Sequence, residues 1–413
     1  MFHDPSVKNE TDKAAEDLGV VPCAKQMVKI EPYKGEKQNL GFGGSLVQIA
    51  IWFAFEIFAR LSGKPSPGQR PLLDFGGLGW WLVSTASLVI WFPLLVLGAG
   101  LIETAGIWNL ILLPVIFVMQ VIFVGCLRVQ QVTFAHYAVH GSLSKRPWLN
   151  KIVAQFATIV PLAQNPAEYR ADHVQKHHRT RFFTSIHDPD AAFLLQLGFR
   201  PGMSRRQLYA HLWRTIFSPR FHGLFAIARL RSTFVTSDTV HKMAAALWLM
   251  ALLGLAFIVP WWVFLLAVIM PWGPLYHVSS LIQFLTEHRW AMTERGPSNS
   301  SEYADRCVGR FSLLPAPTGK TGIRLWLAWA RWGALMIPEI LVRLGSWVGD
   351  LPAHDHHHLV GHAGHNPEDW PKAIFERQRS IDEGDPAGLA NREVYGLKAA
   401  LDWVFEGLSD PKD

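Results

Sequence analysis

Cysteine is almost missing from this chain: Cys23, Cys126 and Cys307 are the whole supply in 413 residues. They form no CxxC pair and no even framework, which excludes a disulfide scaffold and a zinc ribbon. Charge is scarce as well, at 17% against 50% hydrophobic residues, and mean hydropathy is +0.15. That balance excludes a water-soluble globule and fits a polytopic membrane protein with sizeable polar parts. No nucleic-acid-binding motif occurs. The net charge of +6 reads as basic loops on one side of a membrane rather than as a nucleic-acid surface. Asp4, Lys8, Glu10, Asp12 and Lys13 open the chain without an apolar core, so no cleavable signal peptide is expected. There is no HPGG segment and no ferredoxin- or rubredoxin-type cysteine spacing.

What is present is a set of long uncharged runs. None of the residues from Phe75 to Ile102 is charged, nor any from Thr104 to Leu127. Glu103-Thr104-Ala105-Gly106 is the short connection between them. A second uncharged stretch, Met243 to Thr286, is broken by Pro260-Trp261-Trp262. Each half is close to the roughly 20 residues that cross a bilayer. The expectation is therefore an all-α integral membrane protein with about four transmembrane helices in two hairpins, at about 78–102, 105–128, 242–259 and 262–286. A helix over 107–140 would be about 50 Å long, against a hydrocarbon core of about 30 Å, so its last turns must leave the membrane. Residues 45–62 are apolar but contain Glu56 and Arg60, spaced to pair on one helix face; an interfacial helix is favoured there over a further crossing. Residues 148–163 read as re-entrant or interfacial. Arg324, Arg331, Glu339 and Arg343 share a third of a helix circumference, the pattern of an amphipathic surface helix. Residues 1–40 read as a polar extension, 41–365 as the membrane domain, and 366–413 as a soluble, helical end.

Histidines stand just outside the apolar runs. His136 and His140 end the second run, then come His173, His177 and His178, and far downstream His354, His357 and His358. Glu287-His288 closes the fourth run. Neutral imidazole is a ligand for iron, copper, nickel and zinc. A structural zinc needs four ligands, usually with thiolates. Nine imidazoles exceed that, so two metals with positions left for oxygen is the economical reading. Lys and Arg are absent from both short connections and abundant in 128–241 and after Arg289, which puts the boxes and both termini in the cytoplasm.

The order HxxxH, HxxxHH, HxxHH, with apolar spans before the last, resembles the membrane fatty acid desaturase and hydroxylase superfamily. The resemblance runs from about His136 to His358. It implies a cytoplasmic helical cap in the inner membrane, two iron ions and dioxygen as co-substrate. It implies the ligands His136, His140, His173, His177, His178, His354, His357 and His358, with His288 where relatives carry a histidine or asparagine. Carboxylates beside these ligands, Glu168, Asp172, Glu287 and Asp355, are candidates to accept the remote ring N–H and fix the tautomer. His356 is left as a spare in the third box, and His362 and His365 as surface residues. His277 lies deep in an uncharged run, as a tunnel residue or a satisfied interhelical hydrogen bond. His187, His211, His222 and His241 read as loop or interface residues.

The leading expectation is an oxygen-dependent diiron desaturase acting on a lipid acyl chain. Asp188-Pro189-Asp190 resembles a stretch that follows the second box in desaturases. The alternative is a diiron hydroxylase or monooxygenase of alkanes, carotenoids or fatty acids, or an oxidative fatty acid decarboxylase; Glu287-His288 resembles the corresponding segment of membrane alkane hydroxylases. A metal transporter would need ligands at the bilayer midplane, and a zinc-dependent hydrolase would hold zinc without iron. With no electron-carrying motif in the chain, a separate donor of ferredoxin, rubredoxin or cytochrome b5 type, with its reductase, is implied. Lys176, Arg179, Arg181, Arg205 and Arg206 are candidates to steer it, or to face anionic lipid.

Overall fold

A computed structural model of the protein describes residues 46–318, 321–360 and 372–409. The polar extension 1–40, Cys23, His362 and His365 lie outside the described residues. The described chain is mostly helical, as expected, with one departure. Gly309–Phe311 (β1) and Glu393–Tyr395 (β2) pair in parallel, with Gly309 opposite Glu393 and Phe311 opposite Tyr395. Strands of three residues are too short to show an alternating pattern, so nothing in the sequence announces them.

Among the described residues five helices are long and apolar enough to cross a membrane: Gly76–Glu103, Gly106–His140, Thr239–Phe257, Trp261–Glu287 and Gly322–Gly345. The fifth is the segment read from its charges as a surface helix. The first four cover the four apolar runs. Pro260 separates the third from the fourth, and bulky apolar side chains at the hairpin tips are open to the surroundings: Trp108, Phe257, Ile258 and Trp261 are all more than 70% exposed or nearly so (70%, 92%, 79% and 73%). Side chains such as Leu82, Val89, Leu97 and Leu110 likewise face outward, which only a lipid environment makes favourable. Leu46–Ser62 is a 17-residue helix, about 26 Å long and so shorter than the hydrocarbon core. Its Glu56 and Arg60 form the expected pair at 2.6 Å.

The second helix, Gly106–His140, organises the rest. It packs on the first span and on Gly322–Gly345. At the latter crossing the backbones touch: a Cβ on Gly125 would lie 1.8 Å from the Leu344 carbonyl oxygen, and one on Gly345 would lie 2.8 Å from Val121. Small residues permit such close approach between membrane helices. Near its end the helix widens into a π-helical stretch, Gln130–Ala135, before His136–His140. Gly141, at φ 79°, ends it in the left-handed conformation that favours glycine. The fourth span is interrupted too, by a π stretch at Leu265–Ile269 and by Pro271, Gly273 and Pro274. Gln120 donates to the Leu266 carbonyl at 2.7 Å, and Arg229 donates to the Trp272 carbonyl at 2.6 Å. Backbone oxygens released by these irregular turns are thereby satisfied where water is scarce.

Beyond the spans, short helices form a cap over His136–His140. They include Pro147–Ile159, Pro189–Leu197, Arg205–Ile216, Pro219–Arg231, His354–Leu359, Ala373–Asp382 and Leu397–Ser409. Leu397–Ser409 packs on Pro274–Glu287 and on Arg205–Ile216, burying Val404, Phe405 and Leu408 with Leu281, Leu285 and Trp290. The C-terminal helices are therefore built into the cap.

Replacing Gly125 by alanine should force the second and fifth apolar helices apart. The expected cost is about 1–3 kcal/mol, the range for overpacking. Thermal unfolding in detergent should show a lowered midpoint; an unchanged midpoint would mean that the two backbones do not touch.

Candidate metal centre

The nine histidines at the ends of the apolar runs come together in two groups. His136, His140, His173, His178 and His357 form one, and His177, His288, His354 and His358 the other; within each group the donor atoms lie within 4.8 Å of one another. Seven of these rings are buried, and His140 and His178 partly so. His356, between two members of the third box, is buried but belongs to neither group.

Local helix geometry makes the division. His136 and His140 are four apart on an α-helical turn, so both face one way. The second box lies in a π-helical segment, Arg170–His177, where the His178 amide bonds to the His173 carbonyl five residues back at 3.0 Å. In such a turn residues five apart share a face. His173 and His178 therefore enter the first group, and His177 turns to the second. In His354–Leu359, His354 and His358 are four apart and share the second group, while His357 reaches the first. Two adjacent pairs, 177–178 and 357–358, thus each supply both groups.

In the first group four ε-nitrogens make a closed ring. His136 to His357 is 2.9 Å, His357 to His178 is 3.0 Å, His178 to His173 is 2.9 Å, and His173 to His136 is 3.1 Å. The ring of His140 stands 4.9–5.4 Å from each of these four, centroid to centroid. The centre of a square with edges of that length is about 2.1 Å from each nitrogen, a metal–imidazole bond length. In the second group His354 and His358 approach at 3.0 Å through their ε-nitrogens.

The δ-nitrogens fix which atoms are bare. His136 Nδ1 faces the Val132 carbonyl at 3.2 Å, and His288 Nδ1 the Arg306 carbonyl at 3.2 Å. A carbonyl only accepts, so each Nδ1 carries the proton and Nε2 is left with its lone pair. The buried His288 Nε2 has no hydrogen-bond partner among the described residues. His358 Nδ1 meets the Tyr303 hydroxyl at 2.8 Å. Burial, reinforced by the neighbouring imidazoles, drives His173, His178, His288, His357 and His358 well below the ordinary histidine pKa. Lone pairs converging in a dry interior repel one another unless a cation lies among them. The donor set thus fits a metal in each group. The five imidazoles of the first group exceed the four ligands of a closed tetrahedral zinc.

His177 differs from the others. Its Nδ1 donates to Asp188 at 2.9 Å, with Asp190 at 3.7 Å. Burial works against a proton on His177, but Asp188, then Asp190 and Glu287, outweigh it and lift its pKa to about 9. Asp188 is buried and is pinned by Thr184 N–H at 2.8 Å and Asp190 N–H at 3.0 Å. It caps the helix Pro189–Leu197, with Pro189 in the first turn, so one carboxylate both starts a helix and orients an imidazole. Thr184 pays for this with φ of 58°, a strained value for a β-branched residue.

Of the four carboxylates singled out from the sequence, Glu287 lies beside an imidazole, 2.9 Å from His354 Nε2. The other three are bonded elsewhere among the described residues. Glu168 accepts from Ser232 at 2.5 Å; Asp172 pairs with Lys176 at 2.9 Å and accepts from Gln164 at 2.7 Å; Asp355 accepts from Arg377 at 2.8 Å. Asp188 and Tyr303 occupy the place expected of them. The signal for Asp188 was the Asp-Pro helix start; nothing local marked Tyr303. His277 accepts from Arg229 Nη1 at 3.0 Å and faces His222 at 3.2 Å, an interhelical polar contact. His187 lies near Glu294, His211 near the Leu197 carbonyl and His241 near Gln155. Cys126 and Cys307 are free thiols outside both histidine groups.

Residues 112–317 match the family described as fatty acid desaturase. The chain belongs to the membrane fatty acid desaturase and hydroxylase superfamily. The matched segment includes the first two histidine boxes and His288; His354, His357 and His358 lie beyond it. Searches of curated proteins and of solved structures gave no match. Membership in this superfamily implies an oxidoreductase enzyme with a lipid substrate.

A protonated His177 has no lone pair for a metal, so acid must weaken binding at the second group. Metal affinity there should rise about tenfold per pH unit towards pH 9 as this one proton is displaced. Asp188→Asn should flatten that slope and lower high-pH affinity by about 10–100-fold. Competition titrations with a chelator at several pH values would measure both; an unchanged slope in the variant would remove Asp188 from this role.

Proposed function

We propose that this desaturase-family protein is an oxygen-dependent diiron acyl desaturase that forms a double bond in a lipid acyl chain. One iron is held by His136, His140, His173, His178 and His357, the other by His177, His288, His354 and His358. The observation that carries the reading is that the nine side chains implied by the resemblance fall into a group of five and a group of four with converging donor atoms. Iron with dioxygen supplies the oxidant for removing hydrogen from an unactivated C–H bond. The chain's own residues hold and orient. Asp188 keeps the His177 ring in one tautomer, Tyr303 meets His358, and Glu287 lies against His354. The buried rings of Phe183 and Trp290, packed against His177 and His288, exclude water from the second group.

The cap faces the cytoplasm in this reading, and the fifth apolar helix, Gly322–Gly345, lies along the membrane surface. Its polar contacts support that. Trp332 donates to the Leu314 carbonyl at 3.0 Å, Glu339 accepts from Leu397 N–H at 2.9 Å, and Arg343 donates to the Arg60 carbonyl at 2.8 Å. A crossing helix would carry such groups progressively away from the rest of the protein; here Trp332, Glu339 and Arg343, spread along the helix, all keep polar partners in other segments. Four crossings then leave all histidine boxes on one side, where the positive-inside rule puts the basic loops.

Electrons come from a separate ferredoxin-, rubredoxin- or cytochrome b5-type donor. Lys176, Arg179, Arg181, Arg205 and Arg206 are exposed, though Lys176 and Arg205 are engaged by Asp172 and Asp402. A hydroxylase is the second reading, favoured by Glu287 beside His288 and by its approach to His354.

Lipid and hydrocarbon profiling of cells with and without the gene separates the two. A product lighter by two hydrogens is expected; one heavier by an oxygen would overturn desaturation. His177→Ala and His357→Ala should each lower turnover by more than about 100-fold, beyond the cost of losing an outer hydrogen-bond partner, with membrane insertion unchanged. Retained turnover would remove that residue from the ligand set. Reversing the charge of Arg179 and Arg181 together should raise the KM for an acidic donor and reduce its salt dependence, with kcat preserved. An unchanged KM would mean that the donor docks elsewhere.

A further inference from the structure

We propose that Arg377 is a positioning residue that locks the third histidine box shut, and that metal ions exchange through the opening of this contact. The proposal rests on the reading of His354, His357 and His358 as ligands. All four rings of the second group, His177, His288, His354 and His358, are buried, so an ion held there would have no open path to water. The helix that carries the third box, His354–Leu359, is only six residues long. Too short to be stable alone, it must be held by its surroundings.

What holds it is Asp355. Its carboxylate is fully buried and points away from both histidine groups, towards the C-terminal helix Ala373–Asp382. Arg377 meets it with a parallel fork: Nε to Oδ1 at 2.9 Å and Nη2 to Oδ2 at 2.8 Å. The same guanidinium donates to Glu393 at 2.6 Å and to the Leu389 carbonyl at 2.8 Å. Its carbon lies 5.0 Å from the centre of the Phe311 ring. Glu393 is itself paired with Lys64. Arg377 is 1% exposed. It passes over Gly309, where an added Cβ would come within 2.6 Å of Nη2; glycine is the residue that leaves it room. A two-bonded arginine–carboxylate pair fixes direction as well as distance. Asp355 follows His354 and precedes His357 and His358, so the fork sets the rotation of the helix and hence which imidazole serves which group.

The geometry is spread over three parts of the chain that meet at this guanidinium: the 309–311 strand, the third-box helix and the C-terminal segment. None of Asp355, Arg377 and Glu393 falls in the matched family segment, 112–317. The C-terminal segment thus has a task at the metal centre without supplying a ligand.

The test is metal exchange in the full-length protein in detergent micelles. Two readouts are followed, loss of iron to an external chelator and uptake of Co2+ by the stripped protein, the latter from the Co2+ absorption bands. Arg377→Met should accelerate both loss and uptake at least tenfold. Arg377→Lys, which keeps the charge but not the fork, should fall between. Gly309→Ala, which displaces the guanidinium without deleting it, should behave like Arg377→Met. In Asp355→Asn/Arg377→Met no charge is stranded, and exchange should stay fast, because the tether is gone. Unchanged exchange in Arg377→Met, or slow exchange restored in the double variant, would overturn the proposal. If Arg377→Met fails to insert, Arg377→Lys and Gly309→Ala decide by the same criterion. A wild-type protein that binds no metal would instead refute the ligand assignment itself.

Discussion

Everything in the cap answers to one electrostatic constraint: bare imidazole nitrogens about 3 Å apart in an interior closed to water. In His136 and His288 the δ-nitrogen carries the proton, so the ε-nitrogen keeps its lone pair among the converging donor atoms of its group. In water such a gathering would disperse. Here it would be favoured by positive charge at the centre, and four of the nine rings are held from behind. The backing groups are the Val132 and Arg306 carbonyls, the Asp188 carboxylate and the Tyr303 hydroxyl.

The membrane-embedded part serves this constraint by rigidity. The second helix delivers His136 and His140 from an apolar bundle whose packing it anchors, and a bond network ties its end to the approach of the third box. Thr133 donates to Asp350 at 2.6 Å, and Tyr137 donates to the other oxygen of the same carboxylate. Asp350 immediately precedes the turn Leu351–Ala353 that leads into His354. Tyr137 also stacks on His136, with ring centres 4.7 Å apart. One buried carboxylate therefore sets the distance between the first and third boxes. The π-helical stretches at Gln130–Ala135 and Arg170–His177 do the angular work. They rotate the following residues relative to a regular helix, and their unpaired backbone groups are taken up by neighbouring side chains.

Farther out, polar residues hold loops that have little apolar core of their own. Arg310 is fully buried and donates to the Thr286 carbonyl at 2.8 Å, one residue before Glu287. Arg306 ties Thr184 at 2.6 Å. These buried cations lie next to the fourth-span terminus and the Asp188 loop, so the same bonds that stabilise irregular backbone also position the groups around His177 and His288. A network of this kind is costly to break because each deletion strands a buried partner.

Much of this was legible in the order of residues. Uncharged runs of bilayer length announced the helices, because a charge in hydrocarbon is expensive wherever the helix lies. Histidines repeated at the ends of those runs announced a metal centre, because imidazoles at such spacing have few other uses. The pairing of Glu56 with Arg60 was legible for the same local reason. Carboxylate partners were not. Asp172 and Asp355 are sequence neighbours of ligands, yet adjacent helical residues point about 100° apart, so they face Lys176 and Arg377 instead. The division of 177 from 178 and of 357 from 358 depended on a π turn and on how three distant helices rotate against one another. The pairing of the two short strands, and the packing of Arg377 against Gly309 and Phe311, depend on contacts between segments more than sixty residues apart. Local spacing thus determined which histidines were candidates for a metal centre and where the long apolar helices run. Which imidazoles gather in which group, and what holds each ring there, was decided by packing, because direction across a fold is set by neighbours that the linear order does not name.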